Sequence, residues 1–249
     1  LSLLLMGAKR DTHKQLFQTL GYSDFTSAQV SEAYEHLQHM LSHSQGALQL
    51  DTGSTLVLQE GFKPTQKYLE DAKHYFQAEG FTVDFKKQDL ALQEINKYIA
   101  KKTHDKIPEV MSSVDSDTLL VLLNYIFFRG RSISTHLMID IFMPKFSASG
   151  SYSLKEVLTE MGVVAAFSDS ADLSGISEEV GLKVSKVSHK AVLNVDEKGT
   201  EAAAATTIEI MPMSLPDTFV LDRPFLLLIV EESTRSILFM GKVVNPTAS

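Results

Sequence analysis

The sequence predicts an α+β fold on three observations. Strand-like and helix-like patterns interleave, with at least seven strands and five helices but without the regular βαβ alternation of a parallel sheet. A nearly unbroken apolar run, DTLLVLLNYIFFRG, spans residues 117–130 and is typical of a strand covered on both faces in a large sheet. Near the C-terminus, two apolar runs flank the turn-like EESTR, which indicates a hairpin.

Composition limits the classes of function. The chain has 249 residues, of which 44% are hydrophobic and 22% charged, as in ordinary globular proteins. Its net charge of -8 argues against nucleic acid or an anionic membrane as a partner, because both attract clustered Lys and Arg. No cysteine is present, so disulfides, a thiolate nucleophile and cysteine-based zinc sites are excluded. No apolar run reaches the ~18 residues of a membrane-spanning helix.

The N-terminal third is predicted to be helical. The opening LSLLLMGAK is interpreted as the end of a buried helix rather than a secretory signal, since it has no basic leading region. DTHKQLFQTLG predicts a short helix that Asp11 caps and Gly21 closes. SAQVSEAYEHLQHMLSH predicts an amphipathic helix over residues 27–43.

Three histidines of that helix have a spacing that could suit a metal site. His36, His39 and His43 are spaced i, i+3 and i+7 beside Glu32, a spacing at which a metal site on the helix surface is conceivable. The simpler interpretation is a solvated polar face. We therefore predict no metal.

The middle of the chain mixes both element types. ALQLDTGSTLVLQEGF predicts two strand halves with a kink or bulge at Gly53 and Ser54. KPTQKYLEDAKHYFQ predicts a helix with Pro64 near its start, FTVDF a short strand, and QDLALQEINKYIAKKTHDKI a long amphipathic helix. In the apolar run that follows, Asn124 is the one strongly polar interior side chain, and we expect it to be a buried, satisfied hydrogen-bonding group.

The C-terminal half is predicted to be mostly strand. RSISTHLMIDIFMPKFSASGSYSL contains strand patterns, LKEVLTEMG predicts a helix, and residues 182–195 alternate as a strand that includes His189. The segment GTEAAAATTIEIMPMS, residues 199–214, is ambivalent. Its alternation fits a half-buried strand, its alanines suit helix or coil, and composition alone favours an exposed linker.

No catalytic motif is present. The sequence contains no G-x-S-x-G, glycine-rich phosphate loop or H-E-x-x-H. Ser188 and His189 are neighbours near Asp196, but adjacent strand residues point to opposite faces, so they do not predict a triad. We expect no catalytic residues, no cofactor and no enzymatic activity.

Several longer motifs together resemble one protein family. VSHKAVLNVDEKGTEAAAATT, DRPFLLLIVEESTRSILFMGKVVNP, NYIFFRG and DLSGISEE closely resemble the signatures of serpins, and the resemblance covers essentially the whole chain. It implies a single domain over residues 1–249, with a large central mixed sheet, helices, a C-terminal hairpin and an exposed reactive loop at about 197–219. It also implies an incomplete serpin, truncated at the N-terminus and internally shortened near Gly130 and Arg131.

The resemblance assigns roles residue by residue. Met213 and Ser214 form the bond offered to a protease, and Asn124 and His189 belong to the shutter region of the central sheet. Glu197 precedes Met213 by the sixteen residues found in inhibitory family members. The loop hinge comprises Glu197, Gly199, Thr200, Glu201, Ala202, Ala203, Ala204 and Ala205.

The implied function is inhibition of serine proteases by a trap in which the cleaved loop inserts into the central sheet. Because Met213 is unbranched and apolar, we expect an elastase-like or chymotrypsin-like target. The resemblance further implies secretion to the extracellular space and a monomer. Heparin activation is not expected, since the helix over residues 28–43 is acidic and carries histidines. The alternative is a non-inhibitory serpin, either a carrier of a small apolar ligand or an inactive shortened variant.

Overall fold

The structure is a computed structural model and describes residues 1–43, 49–129, 139–142, 146–185, 187–195, 217–231 and 234–245. It divides into two compact units. The first unit comprises Leu1–His43, Asp51–Phe127 and Ser149–Val192. The second comprises Ser44–Leu50, Phe128–Ala148 and Leu193–Ser249. The expectation of one domain over residues 1–249 stays a prediction.

Helices and strands alternate irregularly along the described chain, which confirms the predicted α+β class. The helices are α1 (Ser2–Gly7), α2 (Arg10–Thr19), α3 (Ser27–His43), α4 (Gln66–Phe76), α5 (Gln88–Lys102) and α6 (Lys155–Glu160). The strands are β1 (Gln49–Gln59), β2 (Glu79–Val83), β3 (Leu120–Arg129), β4 (Ile139–Phe142), β5 (Phe146–Ser153), β6 (Ser188–Val195), β7 (Asp217–Val220), β8 (Phe225–Glu231) and β9 (Ser236–Val243).

The predicted N-terminal helices are present, with one difference at a helix start. Asp11 lies in the first turn of α2 and Lys9 occupies the capping position, so the predicted Asp11 cap is wrong. An acidic residue in the first turn still favours the helix through its dipole. At α3, the Thr26 hydroxyl accepts from the Gln29 amide at 3.2 Å, and the Gln29 side chain accepts from the Thr26 amide at 2.8 Å. This reciprocal pair is a capping box.

Five strands form the main sheet of the first unit, in the order β2-β1-β3-β6-β5. Alternating residues of β3 feed two different core clusters, because successive strand side chains point to opposite faces. Leu120 and Leu122 pack against the cluster built by α1, α2, α4 and α6. Leu123 and Tyr125 belong to the cluster that includes Ile95 and other residues of α5. The predicted coverage of this strand on both faces is confirmed for these residues.

The motif DLSGISEE, residues 172–179, is hydrogen-bonded to the end of α1 and to the start of α4. The Gly175 amide donates to the Gly7 carbonyl at the end of α1, at 3.0 Å. Thr65, the capping residue of α4, donates its hydroxyl to the Gly175 carbonyl at 2.8 Å and its amide to the Ile176 carbonyl at 2.8 Å. Ile176 is almost fully buried. The motif therefore ties α1 to the start of α4.

Two strand predictions differ from the structure. β1 is a single strand from Gln49 to Gln59, so the predicted break at Gly53 and Ser54 does not interrupt it. The strand predicted over residues 182–195 begins only at Ser188. Before it, the Val184 amide donates to the Ala166 carbonyl and the Val187 carbonyl accepts from the Leu154 amide, both at 2.9 Å. The Val184 amide thus bonds to a residue outside the sheet, whereas Val187 bonds to the residue that directly follows β5.

The second unit contains two small sheets. β4 pairs in parallel with β7, with Ile139 opposite Asp217. β8 and β9 form the predicted antiparallel hairpin, with Leu228 opposite Met240 and an irregularity between Ile229 and Val230. Arg235 in the turn has a φ of 58°, and the Thr234 amide donates to the Glu231 carboxylate at 2.6 Å.

Candidate functional site

The junction between β3 and β6 is the candidate site. These strands are hydrogen-bonded neighbours in the middle of the five-stranded sheet, although about sixty residues of chain separate them. Each strand carries one of the predicted shutter residues, Asn124 on β3 and His189 on β6. The fold therefore brings the strands of both residues side by side.

Asn124 is exposed, and the expectation that it is buried is wrong. It shares its face of β3 with Leu120 and Leu122 but lies beyond the cluster that these residues join. Its side-chain amide donates to the Gly53 carbonyl at 3.2 Å and faces the Ser54 hydroxyl at 3.4 Å. Asn124 is thus hydrogen-bonded, as predicted, but at an exposed position. The contact joins β3 to β1, on the side of β3 away from β6.

Gly53 and Ser54 are site residues that the sequence predictions assigned only as a strand break. A Cβ added to Gly53 would lie 2.2 Å from the Tyr125 hydroxyl oxygen and 2.4 Å from its Cζ, so the ring occupies the space of the missing side chain. Tyr125 itself is buried. A glycine inside a strand pattern is a known signal of close approach by a neighbouring group, and this signal was available in the sequence.

His189 is half-buried within β6. Among the described residues, no hydrogen bond joins its ring to Asn124. The strand that carries it ends at Val195 and leads directly into residues 196–216. β7 begins at Asp217, so residues 217–219, the last of the loop predicted over 197–219, belong to a strand.

The predicted hinge and reactive bond lie outside the described residues. They comprise Glu197, Gly199, Thr200, Glu201, Ala202, Ala203, Ala204, Ala205, Met213 and Ser214. Their assignment stays a prediction. The structure describes the two strands that flank them, β6 before and β7 after.

The described ranges also bear on the expectations about a metal site and a membrane-spanning helix. Within these ranges, no group of three His, Asp or Glu side chains is placed to hold a metal ion. No helix there combines the length and hydropathy needed to cross a lipid bilayer. His74 on α4 lies 3.6 Å from Glu35 on α3, a contact between two exposed side chains.

Comparison with protein families gives one match over nearly the whole chain. The family model described as "Serpin (serine protease inhibitor)" matches residues 1–135 and 131–246. The match is split in two at the point where the sequence resemblance indicates an internal shortening.

Individual relatives agree with this match. An alpha-1-antitrypsin homolog of Cyprinus carpio is 44% identical over 319 residues, covering 95% of this chain and 86% of the relative. Alpha-1-antiproteinase 2 of Equus caballus is 34% identical and covers 99% of this chain and 79% of the relative. The carp alignment is longer than the 249-residue chain, so the relative has residues without a counterpart here.

Solved structures share the fold. Human thyroxine-binding globulin complexed with thyroxine has a TM-score of 0.84 at 30% identity, covering 99% of this chain and 89% of that one. Human glycosylated kallistatin has a TM-score of 0.84 at 27% identity, covering 100% and 89%. With these neighbours, the five-stranded sheet and its flanking helices are those of a known fold.

Proposed function

The chain belongs to the serpin family of serine protease inhibitors, and on that premise we propose that it traps its target by inserting its own cleaved loop between β3 and β6. The observation that supports this proposal is the order of the sheet. β3 and β6 are adjacent, and β6 runs directly into the small-residue segment at 197–205. A loop strand inserted between β3 and β6 would be the direct continuation of β6 in the same sheet.

The chemical step belongs to the protease. Its serine oxygen attacks the Met213 carbonyl carbon, the bond from Met213 to the Ser214 nitrogen breaks, and the new amine leaves with a proton from the protease's general acid. Residue 213 is then held as an ester on the protease. This chain supplies no catalytic group, and its contribution is to move the ester away before water can hydrolyse it.

The hinge composition favours insertion. Ala202, Ala203, Ala204 and Ala205 have side chains small enough to enter a packed sheet without overfilling it. About a dozen inserted residues at ~1 kcal/mol per net hydrogen bond favour insertion by roughly 10 kcal/mol. Loop insertion in serpins is a known case of strand addition that releases stored strain.

The residue at the reactive bond sets the target. Met213 presents an unbranched apolar side chain, which suits the medium-sized apolar primary pocket of elastase-like and chymotrypsin-like proteases. Trypsin-like enzymes require Lys or Arg at this position and are disfavoured. From the family resemblance, we propose that inhibition takes place outside the cell. We also propose that it does not require heparin, since α3 carries Glu32 and Glu35 and no Lys or Arg.

A carrier of a small apolar ligand is the second candidate, and the likeness to thyroxine-binding globulin is the observation that favours it. One cleft in the described part of the first unit, of about 400 Å³ beside α2, is lined mainly by polar residues such as Arg10, Asp11 and Asp172. Carrier sites are mostly apolar.

The thermal stability of the cleaved chain tests the insertion step. Cleavage within residues 206–213 is expected to raise the melting temperature by roughly 20–40 °C, because insertion adds on the order of 10 kcal/mol to a chain of this size. The matched variant Thr200→Arg places a bulky charged side chain in the small-residue hinge that the resemblance assigns. It is expected to be cleaved equally well without this gain.

Two outcomes would contradict the proposal. The first is an unchanged melting temperature after complete cleavage of the unmodified chain. The second is an equal rise in the Thr200→Arg variant. An unchanged temperature, combined with tight binding of an apolar ligand, would establish the carrier function instead.

A further inference from the structure

Acidic groups outnumber basic groups over the chain. The sequence has 31 Asp and Glu residues against 23 Lys and Arg residues, which gives a net charge of -8 at pH 7. A net charge of this size changes the rate at which charged partners meet the protein. The trapping function proposed above requires such a meeting, because the target protease must bind the loop before it can cleave it.

Close ion pairs neutralise part of the positive charge on the described surface. Six cationic side chains lie between 2.5 and 3.7 Å from a carboxylate oxygen: Arg10, Lys67, Lys87, Lys102, Lys183 and Arg223. The two charges of a close pair cancel at a distance, because an approaching molecule is nearly equally far from both. These cations therefore do little to attract an acidic partner.

Exposed carboxylates remain outside these pairs. Within the described ranges, exposed carboxylates that form no ion pair include Glu32, Glu94, Glu156, Glu160, Glu178 and Glu179. They lie on α3, α5 and α6 and in the DLSGISEE motif, so the excess negative charge is spread over several elements. Charge distributed in this way attracts a partner of opposite net charge without specifying one docking patch.

The segment that a protease must contact is also acidic. By sequence, the predicted reactive loop over 197–219 has a net charge of -3, from Glu197, Glu201, Glu209, Asp217 and Lys198. At physiological salt, exposed charges act over about 8 Å, so the charges closest to a binding site matter most there. The loop therefore favours a protease with basic groups around its active site.

We propose that the target is a serine protease with a net positive surface charge, and that the negative charge of this chain accelerates their association. The proposal rests on the trapping function and narrows its partner. Opposite net charges raise association rates by about 10- to 1,000-fold at low salt. Like charges suppress a wrong partner. The expected target thus combines an apolar primary pocket, which suits Met213, with a basic surface.

Association rates at different ionic strengths test the attraction. The probe is a basic elastase-like protease whose catalytic serine is replaced by alanine, so that binding is measured without cleavage or trapping. Charges act over about 30 Å at 0.01 M ionic strength and over about 3 Å at 1 M. The association rate constant is expected to fall by roughly fivefold or more between these conditions. After acetylation of the protease lysines, which removes positive charge, the salt dependence is expected to shrink.

A four-site variant tests whether the charge of this chain is the cause. Glu156→Gln, Glu160→Gln, Glu178→Gln and Glu179→Gln together remove four negative charges from exposed positions, half of the net charge. At about 0.01 M ionic strength the variant is expected to associate roughly threefold more slowly or less, and at about 1 M equally fast. The matched control carries Asp at the same four positions and keeps the net charge. It is expected to associate like the unmodified chain.

A rate constant that does not change with ionic strength overturns the proposal, and so does a four-site variant that associates as fast as its control. The trap itself is measured separately with the active protease. Salt-dependent association without a stable covalent complex would contradict the trapping function and support the attraction. A stable complex that forms at a salt-independent rate would support the trapping function and overturn the attraction.

Discussion

At the scale of single residues, the candidate site combines what the sequence shows with what only packing shows. Asn124 could be identified because it is a lone polar residue in an apolar run. Its exposure could not, because it depends on where the core cluster below β3 ends. Gly53 marks an irregularity in its strand pattern, but the ring that fills its side-chain space, Tyr125, lies on another strand. Local sequence does not specify such contacts.

One carboxylate gives a pH-dependent prediction at this scale. Glu79 accepts from Lys102 at 2.7 Å and from the Tyr98 hydroxyl. The Lys102 bond, followed by the Tyr98 bond, lowers the pKa of Glu79. Burial, with Glu79 beside it, raises the pKa of Tyr98 to about 12. A lowered carboxyl pKa stabilises the fold above the unfolded value near 4.3, and the gain is lost as pH falls through the folded value.

Glu79→Gln is therefore expected to lower the free energy of unfolding at pH 7 by about 0.5 kcal/mol, a modest cost because the pair is largely exposed. The difference is expected to shrink toward pH 3, because protonation of Glu79 as the pH falls through its lowered pKa removes the ion pair. Urea unfolding at the two pH values measures it, with Glu94→Gln, an exposed carboxylate on α5, as the control. A deficit that persists unchanged at pH 3 would show that the ionised carboxylate is not the cause.

At the scale of elements, helices and strands were predicted well where periodicity is strong. The pattern over residues 27–43 became α3, and the two apolar runs near the C-terminus became the hairpin. The pattern over residues 88–107 became α5, which ends at Lys102, five residues earlier than predicted. The failures lie where backbone groups find partners outside the expected element. Residues 182–187 alternate like a strand, but Val184 and Val187 bond to Ala166 and Leu154. Alternation alone cannot distinguish these cases.

The tie between α1 and the DLSGISEE motif supports a prediction at the element scale. A Cβ on Gly175 would lie 2.7 Å from the Gly7 carbonyl oxygen and 3.0 Å from its carbon, and backbone cannot move aside cheaply. Gly175→Ala is expected to destabilise the fold by about 3 kcal/mol or more. Gly181→Ala is the matched control, since nothing lies within 4 Å of its added Cβ, and it is expected to be neutral or slightly stabilising. Chemical unfolding of both variants measures the contrast, and equal effects would contradict the assigned contact.

At the scale of the whole molecule, the family resemblance predicted more of the fold and function than residue periodicity did. Composition favoured an exposed linker for residues 199–214, and the motifs on either side favoured a reactive loop instead. The family match confirms the serpin assignment, and its division at residues 131–135 agrees with the internal shortening expected near Gly130.

The central claim is that the chain traps a protease at Met213, and incubation with an elastase and with chymotrypsin tests it most directly. Trypsin is the control, because Met213 does not suit its pocket. A denaturing gel and intact mass are expected to show a complex that survives boiling, with the mass of the protease plus residues 1–213. Trypsin is expected to give no such complex. Cleavage after Met213 that leaves free, active elastase and chymotrypsin would contradict the account, since the loop would then be only a substrate.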